Sequence, residues 1–198
     1  TMNITRDHHF SHAAAHIADA ALTVLVRDGF DALSIRTVAA QANVAPGTVQ
    51  YHMGTRDELI AKAFVRSIQR QVHRAEEARQ RATPATSLVE VLAELLPIGR
   101  EQREDAATWV IIGAAASTRE WLAALYTAEL NFFQEQIAAA LDTVARSGQL
   151  REGITPARGA RIVTALVNGL TLDSLNNPDA TRNAIIADLE AGLALLHR

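Results

Sequence analysis

The segment from Leu33 to Leu59, LSIRTVAAQANVAPGTVQYHMGTRDEL, is the part of this sequence that most constrains the fold. Ser34 is a favourable N-cap for a short helix over residues 35–42, and Asn43 suits the left-handed conformation that ends such a helix. Pro46 then suits the first turn of a second short helix. Two short helices joined by so tight a turn predict a helix-turn-helix, whose second helix enters the major groove of DNA. A helical hairpin inside an ordinary bundle is the alternative.

The composition predicts an all-α protein. The chain has 198 residues, of which 48% are hydrophobic, and it has no cysteine, so disulfides and thiolate metal sites are excluded. It has no run of about 18 apolar residues and no signal-peptide core, so we expect a cytoplasmic protein without a membrane partner. The net charge is −3, with a basic excess over residues 1–82 and an acidic excess over residues 83–198. This asymmetry fits a DNA-facing N-terminal part, although chance alone can produce it.

Apolar residues that recur every three or four positions predict about nine helices. Thr55 and Glu58 form a capping-box pattern at the start of the fourth, and Pro97 should kink or shorten the fifth. We predict a DNA-binding domain over residues 1–54 and a second domain over residues 55–198, joined by the fourth helix as a lever. The predicted helices cover residues 8–28, 35–42, 46–53, 55–81, 86–102, 105–116, 118–147, 156–176 and 179–197.

Three stretches, residues 29–39, 43–53 and 55–59, together resemble the DNA-binding domain of TetR-family transcriptional regulators. The resemblance implies an all-helical homodimer with a three-helix DNA-binding head and a C-terminal bundle for ligand binding and dimerisation. The Gly169-Leu170-Thr171-Leu172 run is similar to the BetI-like subgroup, which includes choline-responsive regulators.

The second helix of the motif carries polar groups suited to DNA. Glutamine can bond adenine through two hydrogen bonds, threonine can touch a thymine methyl, and tyrosine or histidine can reach phosphate. Carried over by position, the resemblance implies DNA contacts by Ser34, Arg36, Thr37, Pro46, Gly47, Thr48, Gln50, Tyr51, His52 and Arg56.

Aromatic residues concentrate in one later region of the chain. Aromatic walls with a few hydrogen-bonding groups suit a small-molecule pocket and can also hold a cation, although each such residue can equally be a core residue. The predicted ligand-binding residues are Trp109, Trp121, Tyr126, Phe132 and Asn168.

The last two predicted helices are apolar on more than one face, which favours burial against a second copy of the chain. Residues predicted for this dimer interface are Val163, Val167, Leu170, Ile185, Leu189, Leu193 and Leu196. A two-fold dimer would place two recognition helices roughly 34–36 Å apart or slightly more.

Four histidines lie near the N-terminus, and His8, His12 and His16 are spaced to share one helix face. Such a stripe can bind Zn²⁺ or Ni²⁺, but an exposed face without metal is the simpler interpretation. We expect no metal, no cofactor and no enzymatic activity.

The predicted function is a ligand-responsive repressor, released from a palindromic operator by a small-molecule effector. The alternatives are a helix-turn-helix protein without an effector and, less favoured, a metal-dependent enzyme built on the histidines.

Overall fold

A computed structural model describes residues 4–83 and 87–197, and over these residues the prediction of an all-α fold is confirmed. Nine α-helices and one short 3₁₀ helix, η1, lie within the described residues. The only extended pairing among them is a single antiparallel bridge between Leu150 and His197. The helices are α1 His12–Asp28, η1 Phe30–Ala32, α2 Ile35–Ala42, α3 Pro46–Met53, α4 Arg56–Arg81, α5 Ser87–Ala93, α6 Arg100–Ala116, α7 Glu120–Arg146, α8 Pro156–Asn176 and α9 Arg182–Ala194.

The start of α1 differs from the prediction. The helix begins at His12 because the Ser11 hydroxyl accepts the backbone N–H of Ala14 at 3.2 Å and so caps the first turn. His8 precedes the helix, and the Gln69 side-chain amide donates to its carbonyl at 2.8 Å. The predicted helical stripe of three histidines is therefore wrong, because His8 is not on the helix that carries the other two.

The helix predicted over residues 86–102 is shortened before Pro97, as expected, but the predicted range is wrong. Within the described residues α5 ends at Ala93, and a new helix, α6, starts at Arg100. After Ala93 the N–H groups of Leu95 and Leu96 bond carbonyls three residues back, at 3.0 and 3.1 Å, rather than four. This tightened turn runs into Pro97, which has no N–H to continue a helix. Residue 86, the predicted start, lies outside the described residues.

The chain divides into two compact units that are not contiguous in sequence. The first contains the residues up to Val72 together with Ala107–Thr127, and the second contains His73–Ala106 together with Ala128–Arg198. Helices α4, α6 and α7 each contribute residues to both units. The predicted boundary between a DNA-binding domain, residues 1–54, and a second domain, residues 55–198, stays a prediction.

In the first unit, α1 packs against α2, α3 and η1. The three α-helices of this packing meet through side chains with no exposed surface, such as Leu25 of α1, Val38 of α2 and Val49 of α3. Gly29 ends α1 with a φ of 87°, a conformation that favours glycine, and its N–H bonds the carbonyl of Leu25 at 3.0 Å. These contacts fix the position of the two short helices.

In the second unit, α9 packs against α5 and α8 around one apolar cluster. The side chains predicted to face a second copy belong to this cluster: six are buried and Leu170 is half-buried against it. In the single chain these side chains contact the core, and their role in a dimer interface stays a prediction. They are Val163, Val167, Leu170, Ile185, Leu189, Leu193 and Leu196.

None of the helices in the described part of the chain is both long and apolar enough to cross a membrane.

Candidate nucleic-acid interface

Local hydrogen bonds define both ends of α2, including the turn that leads into α3. The Ser34 hydroxyl accepts the N–H of Thr37 at 3.2 Å, while the Thr37 hydroxyl oxygen accepts the N–H of Ser34 at 3.0 Å. At the other end of α2, Asn43 has φ 54° and ψ 48°, the left-handed conformation expected for it. The N–H of Val44 then bonds the carbonyl of Ala39 at 3.0 Å. Both ends of α2 are therefore closed by groups within the motif.

Helix α3 has one buried face and one exposed face. Val49 and Met53, four residues apart, have no exposed surface. On the opposite side Gln50 and Tyr51 are exposed, and Tyr51 is 85% exposed, the highest value among the large apolar side chains reported as exposed. The Tyr51 ring meets the His52 ring edge-to-face, with 5.0 Å between centroids. An aromatic side chain held so far out of the core is available to a macromolecular partner.

The other predicted DNA-contacting residues surround this exposed face. Pro46 and Gly47 are exposed in the first turn of α3, where the N-cap residue Ala45 makes no side-chain hydrogen bond. Thr48 is half-buried in the same helix, and Arg36 is exposed on α2. In this turn Pro46 has no N–H and the N–H of Thr48 bonds the carbonyl of Ala45 at 2.9 Å, so the N–H of Gly47 is the backbone donor that suits a phosphate.

Three of the predicted contacts are already engaged within the chain. Ser34 and Thr37 bond each other, and the Thr37 hydroxyl also donates to the carbonyl of Ala32 at 2.7 Å. Arg56 donates from Nε to the carbonyl of Leu33 at 2.8 Å and from Nη2 to that of Phe30 at 3.1 Å. These groups hold the connector before α2 in place, which is a positioning role beside any contact with DNA.

Sequence reasoning missed one residue that supports α3. Lys62 of α4 donates to the carbonyl of His52 at 2.9 Å, near the C-terminal end of α3, where a positive charge is favourable. The capping box at the start of α4 is present, because the Thr55 N–H donates to Glu58 Oε2 at 2.8 Å. This hydrogen bond from the Thr55 backbone, together with the Thr55 hydroxyl, lowers the pKa of Glu58. The spacing of Thr55 and Glu58 was visible in the sequence, whereas the Lys62 contact was not.

An aromatic cluster lies in the same unit as α3. Trp109 of α6 meets Tyr126 of α7 at 5.2 Å and Phe64 of α4 at 5.0 Å, both edge-to-face, and Phe64 stacks on Tyr126 at 6.2 Å. Burial raises the pKa of Tyr126. Gly113 permits the close approach of α6 and α7, since a Cβ there would lie 3.1 Å from the Tyr126 ring.

The structure brings together only part of the predicted ligand-binding set. Trp109 and Tyr126 touch, whereas Trp121 is half-buried in the same unit. Phe132 belongs to the second unit, where it meets Phe133 edge-to-face at 5.4 Å, and Asn168 is exposed on α8. Sequence reasoning missed Phe64 and two buried polar residues of α4, Ser67 and Gln71, which bond each other at 3.2 Å. Their three- and four-residue spacing along one helix face is the signal that could have identified them.

The N-terminal histidines do not gather. Among residues 4–83 and 87–197 no group of three or more histidine, aspartate or glutamate side chains is placed to hold a metal ion. His16 instead lies 3.0 Å, through Nε2, from the carbonyl of Ala42 at the end of α2.

Comparisons with known proteins agree with this arrangement. The family described as "Bacterial regulatory proteins, tetR family" matches residues 17–63, and the one described as "BetI-type transcriptional repressor, C-terminal" matches residues 84–198. The HTH-type transcriptional regulator PksA of Bacillus subtilis is 24% identical over 163 residues, which is 82% of this chain and 78% of PksA.

Solved structures match over nearly the whole chain. A transcriptional regulator from Rhodococcus is 25% identical with a TM-score of 0.80, covering 92% of this chain and 95% of that one. A regulator from Saccharomonospora viridis, solved in complex with choline, is 19% identical with a TM-score of 0.82, covering 95% and 98%. Because the BetI-type match spans more than half of the sequence and the head matches separately, this chain belongs to the TetR family of bacterial transcriptional regulators.

Proposed function

We propose that this protein is a dimeric repressor that reads a palindromic operator through the exposed face of α3. The observation that carries the proposal is the division of α3 into a buried face of Val49 and Met53 and an exposed face that contains Gln50 and Tyr51. A helix anchored in this way can enter the major groove without disturbing its own packing. Base contacts then come from Thr48, Gln50 and Tyr51, and phosphate contacts from Arg36 and the N-terminal turn of α3.

Operator binding is tested by selecting duplexes from a random library with the full chain and measuring the affinity of the selected duplex over a range of salt concentrations. We expect a palindrome whose half-sites lie about one helical turn or slightly more apart. The logarithm of the association constant should fall linearly with the logarithm of the salt concentration, by about 0.9 for each phosphate contact. Selection of no sequence, or of an asymmetric site bound by one copy, would contradict the proposal.

The dimer face that we propose uses the outward side of α8. Ile162 and Leu172 are 43% and 48% exposed there, and Ala165 and Gly169, which lie between them on the same side, are exposed as well. Burial of such a face against its two-fold copy removes apolar surface from water.

The test introduces a charge on this face with Leu172→Glu. We expect a shift to monomer by light scattering coupled to size-exclusion chromatography, and loss of operator affinity with it. Ala140→Glu puts the same charge on an exposed position of α7 and serves as the control. An unchanged dimer in Leu172→Glu would place the interface elsewhere.

We infer that the effector binds at the aromatic cluster of Phe64, Trp109 and Tyr126. The centroids of these three rings lie 5.0 to 6.2 Å apart. The π faces of aromatic rings attract an organic cation. The relative from Saccharomonospora viridis holds choline, and this makes choline the first probe. An effector that favours a dimer whose heads no longer match the operator spacing releases the DNA by population shift, with a coupling of about 1–3 kcal/mol.

The effector site is tested by adding choline to the complex of protein and selected duplex and following the anisotropy of the labelled DNA. We expect release in the wild type, and a loss of the response in Trp109→Phe with operator affinity retained. Trp121→Phe is the matched control, because no ring contact ties Trp121 to the cluster in the described residues. A response lost equally in both variants would argue against this site.

A further inference from the structure

The connector between α1 and α2 contains an aromatic ring that two guanidinium groups approach. The Cζ atom of Arg119 lies 4.5 Å from the centroid of the Phe30 ring, and that of Arg56 lies 5.4 Å from the same centroid. Both distances are within the range of cation–π attraction. Phe30 therefore links α4, which follows the DNA-binding helices, to the turn between α6 and α7.

Arg119 is held firmly in that turn. Its Nη1 donates to the carbonyl of Ala115 at 3.1 Å and to the Thr118 hydroxyl at 3.2 Å, and its backbone N–H bonds the carbonyl of Ala116. Its Nη2 also lies 3.9 Å from a carboxylate oxygen of Asp31. Because Asp31 is almost fully exposed, this ion pair adds little to the stability of the contact. The interaction of Arg119 with the Phe30 ring is therefore the main link between the α6–α7 turn and the connector.

The α6–α7 turn is the closed end of a helical hairpin whose two arms carry the aromatic cluster. Trp109 lies on α6 before the turn and Tyr126 on α7 after it, and their rings meet at 5.2 Å. Gly113 allows the two arms to approach closely beside Tyr126. A change of spacing between the arms therefore displaces the guanidinium of Arg119 at the closed end.

On the other side, Phe30 is tied to the start of α2. Arg56 donates to the carbonyl of Phe30 and to that of Leu33, the residue before the N-cap Ser34. A shift of the Phe30 ring is therefore transmitted to the backbone that orients α2, and α2 packs against α3. All of these residues belong to the first compact unit.

We propose that Arg119 is a positioning residue for DNA binding: its contact with Phe30 couples the geometry of the α6–α7 hairpin to the orientation of the helix-turn-helix. This inference rests on the proposed operator binding. Arg119, which lies in the turn of the α6–α7 hairpin, would thus affect operator affinity without contacting DNA. A lysine at this position keeps the charge and some attraction to the ring, but it loses the guanidinium geometry by which Arg119 also bonds Ala115 and Thr118.

The first measurement compares Arg119→Gln with Arg146→Gln on the duplex selected by the wild type. Arg146 is an exposed arginine paired only with Asp142 on its own helix, so the two variants lose the same charge. We expect Arg119→Gln to weaken binding by about fivefold to 900-fold, the range of the two cation–π contacts that a dimer loses, with the salt slope unchanged. Arg146→Gln should leave both unchanged. A salt slope smaller by about 0.9 for each arginine lost would mean that Arg119 contacts phosphate directly, which would overturn the inference.

The second measurement uses tryptophan fluorescence. Both tryptophans of the chain, Trp109 and Trp121, belong to this hairpin, so their emission reports its geometry. We expect emission to change when the wild type is saturated with DNA, and most of this change to be lost in Arg119→Gln under the same saturation. No change in the wild type, or a full change in the variant, would overturn the inference.

A third variant guards against a simple loss of folding. Phe30→Leu removes the π face and keeps an apolar side chain, and the double variant Phe30→Leu/Arg119→Gln completes a thermodynamic cycle. We expect the two substitutions to be non-additive in operator affinity, with Arg119→Lys intermediate between the wild type and Arg119→Gln. Additive effects would overturn the inference. Absence of any DNA selection by the wild type is a separate outcome, which removes the proposed function itself.

Discussion

Substitutions at Val49 and Tyr51 of α3 should affect DNA binding and the free energy of unfolding differently. Tyr51 is 85% exposed and its ring meets that of His52, whereas Val49 has no exposed surface. We therefore predict that Tyr51→Ala loses operator affinity and keeps its free energy of unfolding, and that Val49→Ala lowers the free energy of unfolding first.

The magnitudes follow from burial. A surface substitution such as Tyr51→Ala changes the free energy of unfolding by about 0.5 kcal/mol or less. Loss of one DNA contact costs about 1–3 kcal/mol, and a dimer loses two, so the affinity should fall by roughly 30-fold to 10⁴-fold. Val49→Ala removes two methyl groups from the core, at about 0.8 kcal/mol each before the cavity term, so we expect a loss of about 2 kcal/mol.

The assay pairs fluorescence anisotropy of a labelled operator duplex, at one fixed salt concentration, with urea unfolding followed by circular dichroism. Tyr51→Phe is the matched control, because it keeps the ring and removes only the hydroxyl group. If that group bonds phosphate, Tyr51→Phe reproduces part of the loss in affinity. The reasoning is refuted if Tyr51→Ala destabilises the fold as much as Val49→Ala, or if it leaves operator affinity within about twofold.

Three further predictions concern the ends of the helices. Ser34→Ala removes the hydroxyl that caps α2 and should lower the free energy of unfolding by about 1 kcal/mol in urea titrations, whereas a role only in DNA contact would leave it unchanged. Asn43→Ala should cost about 1 kcal/mol in the same assay because the position has φ 54°, and Asn43→Gly should cost less; equal losses would contradict this reason. The pKa of Glu58 is lowered in the folded chain, so its contribution to stability is present above its unfolded pKa and is lost as pH falls through the folded value. Thermal unfolding should therefore show wild type and Glu58→Gln diverging at neutral pH and converging in acid, and a constant difference would exclude this linkage.

The features that the sequence predicted correctly are those fixed by neighbours three or four positions away. The caps at Ser34 and Thr55 and the left-handed Asn43 need only local hydrogen bonds and steric preferences, and all are present. The start of α1 was wrong because the apolar pattern extended past Ser11, whose capping hydroxyl outweighed it. The predicted range 86–102 was wrong because helix periodicity continued across the tightened turn before Pro97, where the helix ends.

Contacts between distant parts of the chain were beyond the reach of pattern analysis. Apolar periodicity shows that a helix face is buried, but not whether its partner is the same chain, and so it did not place Val163 and Leu189 in the core of their own chain. The contacts of Lys62 with His52 and of Arg119 with Phe30 depend on tertiary packing. How far the aromatic residues converge also depends on packing, which brings Phe64 to Trp109 and Tyr126.

The missing side chain at Gly113 has a consequence for how the regulator can diverge. A methyl group there would lie 3.1 Å from Cε2 of Tyr126 and 3.2 Å from its hydroxyl oxygen, so the ring would have to yield by a few tenths of an ångström. A single alanine substitution at this position would thus alter the width of the aromatic cluster without changing any of its rings. With the effector site that we propose, this substitution would alter effector preference from the backbone side of α6 and leave the exposed side chains of α3 unchanged.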